Sequence, residues 1–250
     1  PHFEKMLYDN GQLLSVYANA YKYFKRPYYK EICHGIVDWL NKEMVDESGA
    51  FYSALDADSE GEEGKYYCWT SNELKELLLD DYKWVADYYN INQNGFWEEG
   101  KYILLKTEGD DDFIKKMKWS QDEFNINKSK VIKTLNEARD LKIKPELDNK
   151  KISSWNGIML KGLCDAYSME QDASFLKLAI SNAEWIINEQ IKNNTLIHCK
   201  TNTKNIDGFL EDYAFVVDAF IALYQITLEE KWLEQAKSLT EKSLELFLDK

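Results

Sequence analysis

Apolar positions recur every three or four residues along much of the chain. Leu7, Leu14, Tyr17, Tyr21 and Phe24 fall at helical spacing over residues 7 to 25. Pro27 then restarts a second stripe through Ile32, Cys33, Ile36, Trp39 and Leu40. The pair predicts a helical hairpin. After a glycine-punctuated loop, Thr70-x-x-Glu73 has the form of a capping box and opens a helix toward Leu79. Lys83 to Tyr89 continues helical, and Asn94-Gly95 breaks the pattern. Tyr102 to Leu105 reads as a short strand, Asp110 to Asp112 as a charged turn, and Lys128 to Lys142 as a helix with a solvated face ending before Pro145.

The later half alternates two kinds of helix. Trp155 to Tyr167 and Tyr213 to Ile226 are apolar nearly all round, whereas Phe175 to Ile191 and Trp232 to Phe247 are amphipathic. A helix apolar on every side must be buried on every side, so the alternation describes an inner and an outer layer. A repeat supports this. Asn10 precedes Tyr29 by 19 residues, as Asn156 precedes Phe175 and Tyr213 precedes Trp232. Each of these aromatics is followed four residues later by a small residue: Cys33, Ala179 and Ala236. Stacked helical hairpins make either an open solenoid or a closed toroid. The apolar inner helices and long irregular loops favour an all-α, α/α toroid with a few short β-hairpins in its loops. At this spacing the chain holds four or five hairpins of one domain over residues 1–250.

Composition narrows the partners. A net charge of -13 argues against nucleic acid and anionic membranes, both of which call for a basic face. No apolar run is long enough to span a bilayer. The four cysteines are scattered without a CxxC pair, which points to a reducing, cytoplasmic compartment and to neither a disulfide scaffold nor a zinc site. The chain opens on Pro1 and stops within the stripe of its last helix, so both ends read as cuts in a longer protein.

Chemistry concentrates in four clusters: His2-Phe3-Glu4-Lys5 with Asp9-Asn10; the loop from Phe51 to Trp69; Trp155-Asn156-Gly157; and Glu211-Asp212-Tyr213. In a helical toroid the starts of the inner helices converge, and a helix N-terminus favours an ionised carboxylate. Asp9, Asn10, Asn156 and Asp212 read equally well as ordinary N-caps. Glu211 and Asp212 point about 100° apart, so at most one faces a shared ligand. The loop packs Asp56, Asp58, Glu60, Glu62 and Glu63 into eight residues between Phe51, Tyr52, Tyr66, Tyr67 and Trp69. Rings beside carboxylates suit sugars, although aromatics are more often core. Asp56-x-Asp58-x-Glu60-Gly61 also matches the first half of a calcium loop, but Tyr67 stands where a bidentate glutamate is needed. His34 reads as structural, and His198 sits in a loop without a motif. No phosphate-cradling glycine loop, GxSxG or HExxH occurs, and no cofactor is implied.

Four ordered stretches carry a resemblance: Pro1 to Asn10, Phe51 to Gly61, Ser154-Trp155-Asn156-Gly157 and Gly208 to Ala214. Together they resemble the thioredoxin-domain-containing family of spermatogenesis-associated protein 20 and its bacterial relatives, over residues 1 to about 225. The resemblance implies part of a six-hairpin glycosidase-like toroid, similar to those of N-acylglucosamine 2-epimerases and unsaturated glucuronyl hydrolases. It also implies that a thioredoxin-like domain precedes this portion, and that the ring is incomplete here. The family's reaction is not established. Asp148-Asn149-Lys150 replaces a usual Asp-Asp-Lys, and Lys144 a usual arginine.

Two functions follow as expectations. One is a sugar hydrolase or epimerase, with Asp58, Glu211 and Asp212 as acid–base candidates. Its ligand would be held by His2, Glu4, Lys5, Asp9, Asn10, Asp56, Ser59, Trp69, Trp155, Asn156 and Tyr213. The other is a non-catalytic binding or scaffold module serving the thioredoxin-like domain. The first expects Asp58 in one pocket with Asn10, Asn156 or Glu211.

Overall fold

A computed structural model describes residues 2–200 and 204–248. In chain order the helices are α1 (Leu7–Phe24), α2 (Pro27–Trp39), α3 (Ser71–Leu78), α4 (Tyr82–Tyr88), α5 (Asp110–Met117), α6 (Gln121–Asp140), α7 (Ser153–Glu170), α8 (Ala173–Trp185), α9 (Leu210–Thr227) and α10 (Glu230–Phe247). The strands are short: β1 (Lys5–Met6), β2 (Ala54–Leu55), β3 (Asp58–Ser59), β4 (Glu62–Glu63), β5 (Trp69–Thr70), β6 (Lys101–Tyr102), β7 (Leu147–Asp148), β8 (Ile191–Lys192), β9 (Thr195–Lys200) and β10 (Asn205–Asp207). Contacts divide the chain into two compact units, one of residues 1–4 and 56–146, the other of residues 5–55 and 147–250.

The larger unit holds the three hairpins α1–α2, α7–α8 and α9–α10. Their inner helices are all 18 residues long, and α2 and α8 both run 13 residues before a wide π-type turn. Each inner helix ends on a left-handed residue, Lys25, Gln171 or Leu228, whose N–H bonds four residues back. The repeat legible in the sequence is thus a repeat in three dimensions. Cys33, Ala179 and Ala236 are all buried, as a small residue facing an inner helix must be.

α7 packs between α1 and α9. Two helices approach this closely only where a side chain is missing. A Cβ on Gly11 would lie 2.9 Å from the backbone of Met159, and one on Gly157 2.9 Å from that of Phe215. A Cβ on Gly162 would lie 2.6 Å from Gly11 O. The contacts advance in step along both helices, so α1, α7 and α9 run parallel and their N-termini share one end of the unit. The core between the layers contains Leu14, Leu40, Leu160, Phe175, Phe220 and Trp232, all but fully buried. β1, β2 and β7 form an antiparallel sheet, as do β8, β9 and β10.

The smaller unit has its own core around Trp69, Leu74, Trp84, Tyr88, Phe113 and Phe124. The Thr70–Glu73 capping box is present as expected. The acidic loop forms a hairpin: Glu60 and Gly61, both with positive φ, make the two-residue turn between β3 and β4. Three expectations are corrected here. Asp110 to Asp112 is the first turn of α5, where three carboxylates meet the helix's positive end. The strand expected over 102–105 is β6, because pairing with β5 ends at Tyr102. α6 begins at Gln121 rather than Lys128, capped by the Ser120 side chain.

Asp110 accepts from Tyr88 at 2.5 Å and Lys128 at 2.9 Å and pairs with Lys106. Burial pushes its carboxyl up, but these partners together hold it below the usual carboxylate range. Its stabilisation is therefore complete above about pH 4 and is lost as the pH falls through the lowered value. Asp110→Asn should flatten the acid limb of the pH–stability curve, read by urea unfolding. In the larger unit, Gly157→Ala is expected to destabilise by about 1–3 kcal/mol although alanine is the better helix former. Gly35→Ala is the control: its Cβ would meet nothing within 4 Å, and a gain of about 0.5–1 kcal/mol is expected.

Candidate functional site

The shared N-terminal end of α1, α7 and α9 is organised by buried polar groups. Asn156, in the first turns of α7, is wholly buried. Its Oδ1 accepts from Phe51 N–H and from the Asn182 amide, both at 2.9 Å. Its Nδ2 donates to Phe51 O at 3.1 Å and Ile152 O at 2.9 Å. Asn182 also donates to Gly49 O at 2.9 Å. Asn10, the repeat equivalent, donates to Met6 O at 2.8 Å in the same manner. Asn156 thus stitches the turn after α2 to α7 and α8, and its four hydrogen-bonding positions are filled by protein.

Asp212 is also wholly buried. Its Oδ1 accepts from Ser154 N–H at 2.8 Å, and its Oδ2 accepts from Phe209 N–H at 2.8 Å. The same Oδ2 lies 2.9 Å from His198 Nδ1. One carboxylate therefore ties the starts of α7 and α9 to β9. A carboxylate on one ring nitrogen fixes the tautomer and leaves the other nitrogen as the base. The His198 side chain is 17% exposed, so the imidazole reaches solvent while Asp212 does not. Tyr213 is core: its hydroxyl accepts from Leu196 N–H at 2.9 Å and its ring packs against Phe247. What this end presents outward is smaller. Trp155 is half-buried and meets Tyr8 edge-on at 4.8 Å, while Asp9 and Glu211 are exposed in the first turns of their helices. Lys5 lies in β1 beside them in sequence.

The remaining sequence candidates belong to the smaller unit. His2 and Glu4 are exposed on either side of the buried Phe3 ring, which stacks near Tyr67 and meets Trp97 edge-on. Asp56 and Asp58 are exposed, and Asp56 Oδ1 accepts from Asp58 N–H at 3.1 Å. Ser59 is buried and donates to Ile143 O at 2.5 Å. Trp69 is core. Asp58 therefore belongs to one unit, and Asn10, Asn156 and Glu211 to the other.

Within the smaller unit a cleft of about 340 Å³ is lined by Ser59, Tyr66, Thr70, Lys101 and Lys142 among others. The Lys142 ammonium donates to Cys68 O at 2.8 Å and lies 3.8 Å from the Trp69 ring centre. Burial depresses its pKa, opposed by the Glu73 carboxylate. No motif announced this lysine, and none announced His198. His198 lies within β9, Thr195–Lys200, and a strand reading of that stretch was the signal that would have taken it out of the loop.

No family model matches the chain. Human spermatogenesis-associated protein 20 is 29% identical over 287 residues, covering all of this chain and 36% of the human protein. The mouse protein of that name is 30% identical over 288 residues, with the same coverage. The chain is a homologue of spermatogenesis-associated protein 20. It spans little more than a third of that relative's length. Among solved structures, an unsaturated glucuronyl hydrolase specific for heparin superposes with a TM-score of 0.52 at 10% identity, covering 96% of this chain and 46% of the other. The fold is the α/α toroid of the six-hairpin glycosidase kind. Among the described residues, no helix is long and apolar enough to cross a membrane.

Asn156→Ala would leave Phe51 N–H and C=O buried and unpaired. It should cost about 2–6 kcal/mol, at roughly 1–3 kcal/mol per group, read by denaturant unfolding. Lys142, with its depressed pKa, is expected to acetylate ahead of the exposed lysines near neutral pH. Peptide mapping after limiting acetic anhydride would show it, and equal labelling would contradict it.

Proposed function

We propose that this homologue of spermatogenesis-associated protein 20 binds and processes a carbohydrate at the N-terminal end of α1, α7 and α9. The observation that carries the reading is the His198–Asp212 pair at 2.9 Å, with exposed Glu211 on the next residue of the chain. In this reading His198 is the base, freed at its second nitrogen by Asp212, and Glu211 is the acid partner. Asp212 positions and does not itself reach substrate. Trp155 and Tyr8 supply the ring faces on which a sugar stacks, and Asp9 accepts from its hydroxyls. A base and an acid on one sugar face serve proton exchange beside a carbonyl, the chemistry of an epimerase, as well as hydrolysis. The shared toroid with a glucuronyl hydrolase agrees with a sugar ligand and says nothing of the reaction.

A second reading is supported by the same end of the unit. Asn156, Asp212 and Tyr213 are filled by their own protein partners. That suits a non-catalytic module working beside another domain of the longer protein.

A panel of neutral and uronic mono- and disaccharides separates the two, with melting shifts and proton NMR of turnover as readouts. The sugar reading expects stabilisation by at least one sugar, with turnover abolished in His198→Asn and reduced at least about 100-fold in Glu211→Gln. Stabilisation by peptides and by no sugar would leave the scaffold reading standing instead.

A further inference from the structure

The opposite end of α7 carries a second constellation. Its 18 residues place Glu170 roughly 25 Å from the Trp155 end. There the left-handed residue Gln171 reverses the chain, so that Glu170, the last residue of α7, and Asp172, the cap of α8, flank one turn. His34 reaches the same place from α2, its ring held 5.1 Å from Phe175 of α8. One ligand atom from each of His34, Glu170 and Asp172 lies within 4.8 Å of the others. Among the described residues this is the one such group of three.

A structural ion-pair cluster would satisfy all of its own atoms, and this one does so only in part. Glu170 Oε2 is taken by the Lys30 ammonium. Glu170 Oε1 lies 2.6 Å from His34 Nε2, yet it is a buried atom that accepts no aligned hydrogen bond. Asp172 Oδ1 accepts from both the N–H and the hydroxyl of Ser174. Its other oxygen makes no hydrogen bond among those described. An imidazole nitrogen and two carboxylate oxygens therefore converge, and a bound ion would take the place of the proton between His34 and Glu170. Ligand atoms about 2.0–2.2 Å from an ion stand roughly 3–3.5 Å from one another, within a small side-chain rotation of this arrangement.

We propose that His34 Nε2, Glu170 Oε1 and the outer oxygen of Asp172 bind a divalent first-row metal ion, with zinc the best match. One imidazole with two carboxylates is a zinc- or manganese-type donor set, whereas calcium and magnesium call for oxygen alone. Three ligands leave a fourth position for water. The Lys30 ammonium holds Glu170 in place from its other oxygen. The neighbouring Cys33 is committed elsewhere: it is wholly buried and its thiol donates to Leu14 O at 3.9 Å. The ion would clip α2 to the α7–α8 connection and so join two successive hairpins. The site stands independently of the sugar reading.

The test is calorimetric titration of the chelator-treated protein with zinc chloride, alongside Asp172→Asn and His34→Ala. Asparagine caps a helix as well as aspartate does, so Asp172→Asn keeps the fold and removes one charged ligand. The expected result is one zinc per chain, a raised melting temperature, and at least about tenfold weaker binding in each variant. Cobalt bound in place of zinc should show the visible absorption of a low-coordinate site, lost in His34→Ala. No saturable binding, or binding equally tight in both variants, overturns the proposal.

Discussion

A helix that starts inside a protein leaves its first N–H groups without partners, and the hairpin stack has to satisfy such groups at a buried end. Asp212 does this for two helices together, capping α9 through Phe209 N–H and reaching Ser154 N–H at the start of α7. Asn156 does the complementary work, taking both backbone groups of Phe51 as a neighbouring strand would. The spacing of α1, α7 and α9 can then be set by Gly11, Gly157 and Gly162, because polar groups at the helix starts are already paired. Close packing and polar satisfaction here depend on each other. A looser stack would pull Ser154 from Asp212 and Phe51 from Asn156.

This explains how much of the molecule was legible in the chain. The hairpins, the two layers and the repeat follow from the period of apolar residues, since burial is what those residues report. Trp232 and Ala236 were readable because a fully buried outer-helix face admits few residue types. The turn at Asp110 was misread because three adjacent aspartates resemble solvated loop, whereas their meaning depends on which side of a helix start they stand. The division into two units was not legible, because α3 to α6 carry the same local period as the stacked hairpins.

The candidate site was legible only in its neighbourhoods. The four clusters do include the polar groups that matter to the fold, but sequence does not separate a carboxylate that faces a ligand from one that faces a backbone N–H. Asp212 and Glu211 are adjacent, and one is wholly buried while the other is exposed. His198 was passed over because its partner lies on a different element, and a pairing between β9 and α9 leaves no spacing to read. The aromatics around the acidic loop proved to be mainly core, with Phe51 and Trp69 serving separate cores.

The three inner helices close on Lys25, Gln171 and Leu228, all left-handed and none of them glycine. A side chain in that conformation costs on the order of 1 kcal/mol that glycine would spare. The fold therefore holds a reserve of strain at each link between its layers, repeated in step with the hairpins themselves. It stands at exposed joints and not in the helices, so a substitution at one joint can relieve it without touching the core.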